Sequence, residues 1–233
     1  MIDWFALAAV TGTAAVCGSP SPGPAEPLAR SVVFDNSENP ASAKMAATLR
    51  ELWEGGVAWN VFLDATSARR ALWMSNADVA AVPSDLLERA LVVPGTWRIL
   101  VVAIDACSDS ANSIPWVAKL AELVPSLDLR IIDSTVGRGL MESHRTPDDR
   151  AATPTVLLLD ANWNEAGCFI ERPVALQQWY SERQGTMPVR ELTERKMEWY
   201  ADDAGRVTLD EIVAMLEGAA AGSPVCAASP AGG

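Results

Sequence analysis

The chain has 233 residues, 49% of them apolar, so one large domain with extensions and a sizeable core is within reach. Its formal charge is −12, from 30 acidic against 18 basic side chains. That balance excludes a nucleic-acid backbone as partner, which needs clustered Lys and Arg, and it disfavours anionic membranes. The single histidine, His144, and the scattered cysteines, Cys17, Cys107, Cys168 and Cys226, show no C-x-x-C or metal-ligand spacing. We therefore expect no metal, no cofactor, no Ser-His-Asp triad and no disulfide scaffold.

Residues 1–30 read as a tail, small and apolar from 4 to 17 and then SPSPGPAEP. The outline is that of a secretory or lipoprotein segment with Cys17 as a lipid-anchored residue. The start Met-Ile-Asp has no basic stretch, and Val16 stands where a small residue is usual. Those two features favour a plain tail, and a cytoplasmic location over a periplasmic or lipid-anchored one. Residues 31–95 read as an N-terminal helical extension. The spacing predicts a helix over 42–54, with Met45, Leu49, Leu52 and Trp53 on one face, ended by Gly55-Gly56. Short helices follow at 67–74 and 84–91, the second capped by Ser84.

After the Pro94-Gly95 turn, 97–104 is an apolar run apart from Arg98, as in a strand buried on both faces. A helix with an internal Pro115 is predicted over 110–124, a second buried strand over 127–132 and a weak helix over 136–144. Strands over 155–159 and 166–170 form a hairpin, and a helix over 174–182, opened by Arg172-Pro173, completes a 96–185 core. Helices at 189–200 and 208–216 make a C-terminal part spanning 186–218. The last carries a Thr208/Glu211 capping box and a Val207–Ile212 staple. Residues 219–233 read as a second tail. The order β-α-β-α-β-β-α is that of an α/β fold, with strands separated by helices expected to pair in parallel and the hairpin antiparallel.

The feature that carries chemistry is ILVVAIDACSDSANSIP, where a buried strand runs into Cys107 and a helix begins at once. Unpaired backbone N–H groups and the helix dipole at such a junction favour a thiolate, which makes Cys107 a candidate nucleophile. Asp105 and Asp109 oppose it through like charge, and Asp109 is also a candidate acid or base for proton transfer. The alternative is a small apolar residue closing a strand. A second feature is Thr153-Pro154 before VLLLD: a proline opening a buried strand cannot donate to the ladder, and it is a candidate cis bond.

Taken together, these pieces resemble the thioredoxin superfamily, and within it a bacterial group that reads W-R-L-L-V-V-x-E-D-W-C-G-D-[AC]-A-N-T-x-P and later G-P-R-P. Trp97 to Val102, Asp105, Cys107, Asp109, Ala111, Asn112, Pro115, Pro154, Asp160, Gly167 and Arg172-Pro173 match. The resemblance covers most of residues 50–218. It implies a thioredoxin-like fold with a mixed sheet, a cis-Pro154 loop and helical extensions at both ends. It also implies Cys107 as nucleophile and Ala106, Ser108, Thr153 and Pro154 as the surface that docks a target. The departures cluster at the site. Ala106 replaces a tryptophan, Ser108 a glycine, and Ser110 stands where a resolving cysteine would be.

The implied activity is that of a monothiol thiol-disulfide oxidoreductase, with Asp109 modulating protonation and Ser110 hydrogen-bonding the sulfur. Its partners would be protein thiols or disulfides, or a low-molecular-weight thiol. Cys168 reads as a packing residue, and Cys226 as a thiol on a flexible tail. The runner-up is a thioredoxin-fold binding module without turnover, and a third reading is a peroxide-sensing thiol.

Overall fold

The apolar run after the Pro94-Gly95 turn becomes an interior strand of the sheet, with helices covering both its faces. A computed structural model describes residues 40–226. The expectations about the N-terminal tail, including Cys17, and about 227–233 lie outside the described residues. Before the sheet come α1 (Pro40–Glu54), α2 (Trp59–Ala65), α3 (Arg70–Val79) and α4 (Ser84–Leu91). The core follows as β1 (Trp97–Ala103), α5 (Ser108–Leu123), β2 (Leu127–Asp133), α6 (Arg138–Ser143), β3 (Thr155–Leu159), β4 (Glu165–Ile170) and α7 (Val174–Arg183). The chain then adds α8 (Val189–Asp203), α9 (Arg206–Ala220) and β5 (Val225–Cys226).

The sheet order is β2-β1-β3-β4-β5. Alternation along β1 splits the core in two. Ile99, Val101 and Ala103 face α5 and α9 through Ala111, Ile114, Val117, Leu209 and Ile212. Leu100 and Val102 face α1 and α6 through Leu49, Trp53, Leu140 and Met141. The extension that precedes β1 is thus part of the core: Trp73 of α3 is fully buried against the α5 side.

Four expectations need correcting. β3 pairs with β1 antiparallel, not parallel. The connecting helix α6 has 6 residues. At 1.5 Å per residue it rises only ~9 Å, short of the long helical crossover that parallel strands ordinarily use, and the chain re-enters the sheet from the end at which it left. Helix α9 starts earlier than the capping box: Gly205, at φ 75, is its N-cap. A side chain there would overlap the Trp116 ring, so glycine serves both the left-handed turn and the close approach. Thr208 is buried inside the helix, and Glu211 instead accepts from the Val174 N–H that opens α7, at 2.8 Å.

The other two corrections concern cysteines and the tail. Cys168 and Cys226 are joined in a disulfide with Cα atoms 4.3 Å apart. The residues up to Cys226 are also not a free tail, since β5 pairs in parallel with β4 through Gly167↔Val225 and Cys168↔Cys226. Helix α2 was not anticipated, and α3 begins three residues later than its predicted start at 67.

Candidate active site

Strand β1 delivers Cys107 to the N-cap of α5, where its backbone is extended (φ −82, ψ 123). The thiol is half-exposed. Its sulfur accepts from the Ser110 backbone N–H at 3.4 Å and lies 3.0 Å from the Thr153 carbonyl oxygen, to which the thiol donates. The Thr153–Pro154 peptide is cis. Its loop is tied down from two sides: Glu171 N–H donates to Pro154 O at 2.7 Å, and the Thr155 hydroxyl donates to Ala152 O at 2.8 Å. The expected sulfur contact of Ser110 is therefore made by its amide. Its hydroxyl is buried without a partner among the described residues.

Pro115 explains part of the helix geometry. It lacks the N–H that would reach Ala111 O one turn back. That oxygen is taken instead by Asn76 Nδ2 of α3, at 2.8 Å, which also holds Asn112 Oδ1 at 3.0 Å. The first turn of α5 is thus braced by a helix of the N-terminal extension.

Asp109 lies on the buried side of that turn. Its Oδ2 accepts from Lys196 Nζ at 2.8 Å and its Oδ1 from the Tyr200 hydroxyl at 2.9 Å, with Arg172 Nη2 at 3.6 Å. Lys196 also donates to Ser108 Oγ at 3.1 Å. Burial, reinforced by the Asp109 charge, holds the Tyr200 phenol well above its usual range, so it stays protonated and donates. Both carboxylate oxygens of Asp109 are therefore engaged by α8 rather than by the sulfur. Asp105 faces the other way. Its Oδ2 accepts from the Ser67 and Ala68 N–H groups at 2.9 and 2.8 Å, and those backbone donors hold its carboxyl below the ordinary carboxylate range.

Of the expected docking residues, Ala106 is exposed, Ser108 and Thr153 are half-buried and Pro154 is buried beneath Thr153. Arg172, expected to open a helix or else to line the site, is buried beside Asp109, paired with Glu171 and stacked 4.2 Å over the Tyr180 ring. Lys196 and Tyr200 were missed altogether. Their signal is the i, i+4 stripe Leu192, Lys196, Tyr200 on α8, where a lysine occupies a position that is otherwise buried. Arg69 was also missed. Its Nε donates to Ala106 O at 2.6 Å, directly before the cysteine. Cys168 is no resolving thiol, because it is bonded to Cys226 and packs on the face of the sheet opposite α5.

The thioredoxin family profile matches residues 56–187. Among solved structures, the chain is similar to PA1234, a protein of unknown function from Pseudomonas aeruginosa, at 22% identity and a TM-score of 0.59, covering 73% of this chain and 97% of that one. It is also similar to an HIV epitope-scaffold at 22% identity and a TM-score of 0.55, covering 72% and 97%. Both likenesses bear on the fold alone. No curated protein matches the chain. The profile spans more than half of the sequence, from the approach to α2 through the end of α7, and the chain belongs to the thioredoxin family.

Proposed function

We propose that the protein is a monothiol thiol-disulfide oxidoreductase acting through Cys107, with protein disulfides or a low-molecular-weight thiol as its partners. The observation that supports this is the seat of the sulfur: half-exposed at the start of α5, facing the Ser110 N–H and the Thr153 carbonyl beside the cis-proline. Exposed Ala106 and half-buried Thr153 flank it as the docking surface.

In the first step Cys107 loses its proton to solvent and the thiolate attacks one sulfur of a target disulfide R–S–S–R′. An Sγ–S bond forms, the S–S bond breaks, and R′S⁻ leaves with the electron pair. Ser110 has no thiol to displace R, and Cys168 and Cys226 are bonded to each other. An external thiol, deprotonated, then attacks the mixed disulfide. It carries away R as a new disulfide and returns Cys107 as thiolate.

Incubation with glutathione disulfide is expected to place one glutathione on the Cys107 peptide. The adduct is absent from Cys107→Ser and is removed by added glutathione. Mass spectrometry of the digested protein reads both outcomes. No adduct on that peptide, or one that excess thiol leaves in place, overturns the reading in favour of a binding module without turnover.

A further inference from the structure

Apart from Lys196 and Arg172, which are held on Asp109, the Cys107 site carries a cation that the exchange reaction above does not use. Arg69 is exposed, at the N-cap of α3, with a backbone φ of 51. That left-handed conformation is uncommon for a non-glycine residue and persists only where the surroundings hold it. The surroundings are visible. Asp105 Oδ2 gathers the two preceding N–H groups, Ser67 and Ala68, and the Ser67 hydroxyl at 3.2 Å. The Trp73 indole N–H donates to Asp105 O at 2.9 Å. The segment that bears Arg69 is thereby fastened to the end of β1, two residues before the nucleophile.

The side chain is fastened as well. Nε donates to Ala106 O at 2.6 Å, so the guanidinium is anchored one residue before Cys107. Among the described residues, Nη1 and Nη2 of Arg69 have no hydrogen-bond partner and no carboxylate lies within ion-pair distance. Most of the other arginines among the described residues, by contrast, pair with Asp or Glu. In a protein of net charge −12, an unpaired guanidinium anchored on the residue before Cys107 is a local exception to the surrounding field. The end-on Nη1–Nη2 edge presents two parallel donors at the spacing a carboxylate accepts.

We propose that Arg69 is the anion-recognition element of the Cys107 site, its free guanidinium edge taking a carboxylate carried by the molecule whose sulfur exchanges with Cys107. This rests on the monothiol reading above and adds a substrate class to it. The carboxylate belongs either to a small acidic thiol or to an acidic side chain next to a target protein's cysteine, and the same edge serves both. Arg69 acts in docking alone: the sulfur exchange and its proton and electron balance are unchanged.

The test is a charge series of disulfides on the full chain: anionic dithiobis-nitrobenzoate, neutral dithiodipyridine and cationic cystamine. Each rate is read from the released thiol or from the mass of the adduct on the Cys107 peptide. Arg69→Gln keeps a donor for Ala106 O but removes the charge. It is expected to lower the anionic-to-neutral rate ratio by about three- to tenfold, between the worth of an exposed ion pair and that of a charge-assisted hydrogen bond. Arg69→Lys is expected to fall between the two, and added salt to shrink the wild-type preference. Glutathione disulfide against a peptide disulfide flanked by Asp separates the two sources, the preferred one showing the larger loss in Arg69→Gln. An unchanged ratio, or equal losses with anionic, neutral and cationic probes, overturns the proposal and makes Arg69 a support for the backbone at Ala106. Failure of every probe to modify Cys107 in the wild type overturns the monothiol reading itself, and the Arg69 proposal with it.

Discussion

Replacing Lys196 by Met is the sharpest test of how the candidate active site is held. Met keeps most of the apolar stem and removes the charge. In the native chain Lys196 and Asp109 have side chains 8% exposed, with Nζ and Oδ2 2.8 Å apart. Removing one member of a buried pair costs ~3–5 kcal/mol, because it strands the other charge away from water. Asp109 would keep the Tyr200 hydroxyl at 2.9 Å and Arg172 at 3.6 Å, which puts the expectation at the lower end, ~3 kcal/mol. For a domain of this size, each kcal/mol moves Tm by roughly 2–4 °C, so the midpoint should fall by roughly 6–12 °C. Urea unfolding followed by tryptophan fluorescence reads the same quantity at 25 °C. The double variant with Asp109→Asn should cost less than the sum of the singles, by ~1 kcal/mol or more, since each single leaves a partner stranded. A loss for Lys196→Met below ~1 kcal/mol, the worth of an exposed pair, would refute the claim that this cluster is a desolvated brace.

Three further outcomes follow from the same structure. Asn76→Leu should lose ~1–3 kcal/mol in denaturant unfolding, because Ala111 O loses the donor that stands in for the missing proline N–H. Cys226→Ser should lower stability by ~4 kcal/mol in the chain-entropy account, given the 58-residue separation of the bonded cysteines, and a wild type insensitive to reductant would contradict it. Burial pushes Glu211 up to about 7, against the Val174 N–H that favours its charged form. A carboxyl raised in the folded state holds its proton there after the unfolded chain has lost it. Stability should therefore decline as pH rises from the ordinary glutamate range towards 7, and Glu211→Gln should flatten that decline in thermal melts across the window.

The sequence by itself determined the parts of this protein whose cause is local. The apolar run of β1, broken only at Arg98, and the hairpin of β3 and β4 are readable from spacing and turn chemistry alone. So is the junction that seats Cys107 at a helix start, because strand end, cysteine and helix are consecutive residues. Tertiary structure decided what depends on residues far apart in the chain. The partners of Asp109 are Lys196 and Tyr200, 87 and 91 positions away and beyond the stretch matched by the family profile. The substitute donor for Ala111 O comes from 35 positions upstream, and Arg69 meets Ala106 across 37. The Cys168–Cys226 bond and the antiparallel return of β3 likewise depend on where a long connection and a terminal segment rejoin the finished sheet. Local rules such as helix capping see only a few residues in each direction. They therefore missed the true start of α9, which the contact of Gly205 with the Trp116 ring imposes from outside. Burial removes water as the alternative partner for these polar groups, and each must then find its bond wherever packing brings another chain segment within reach.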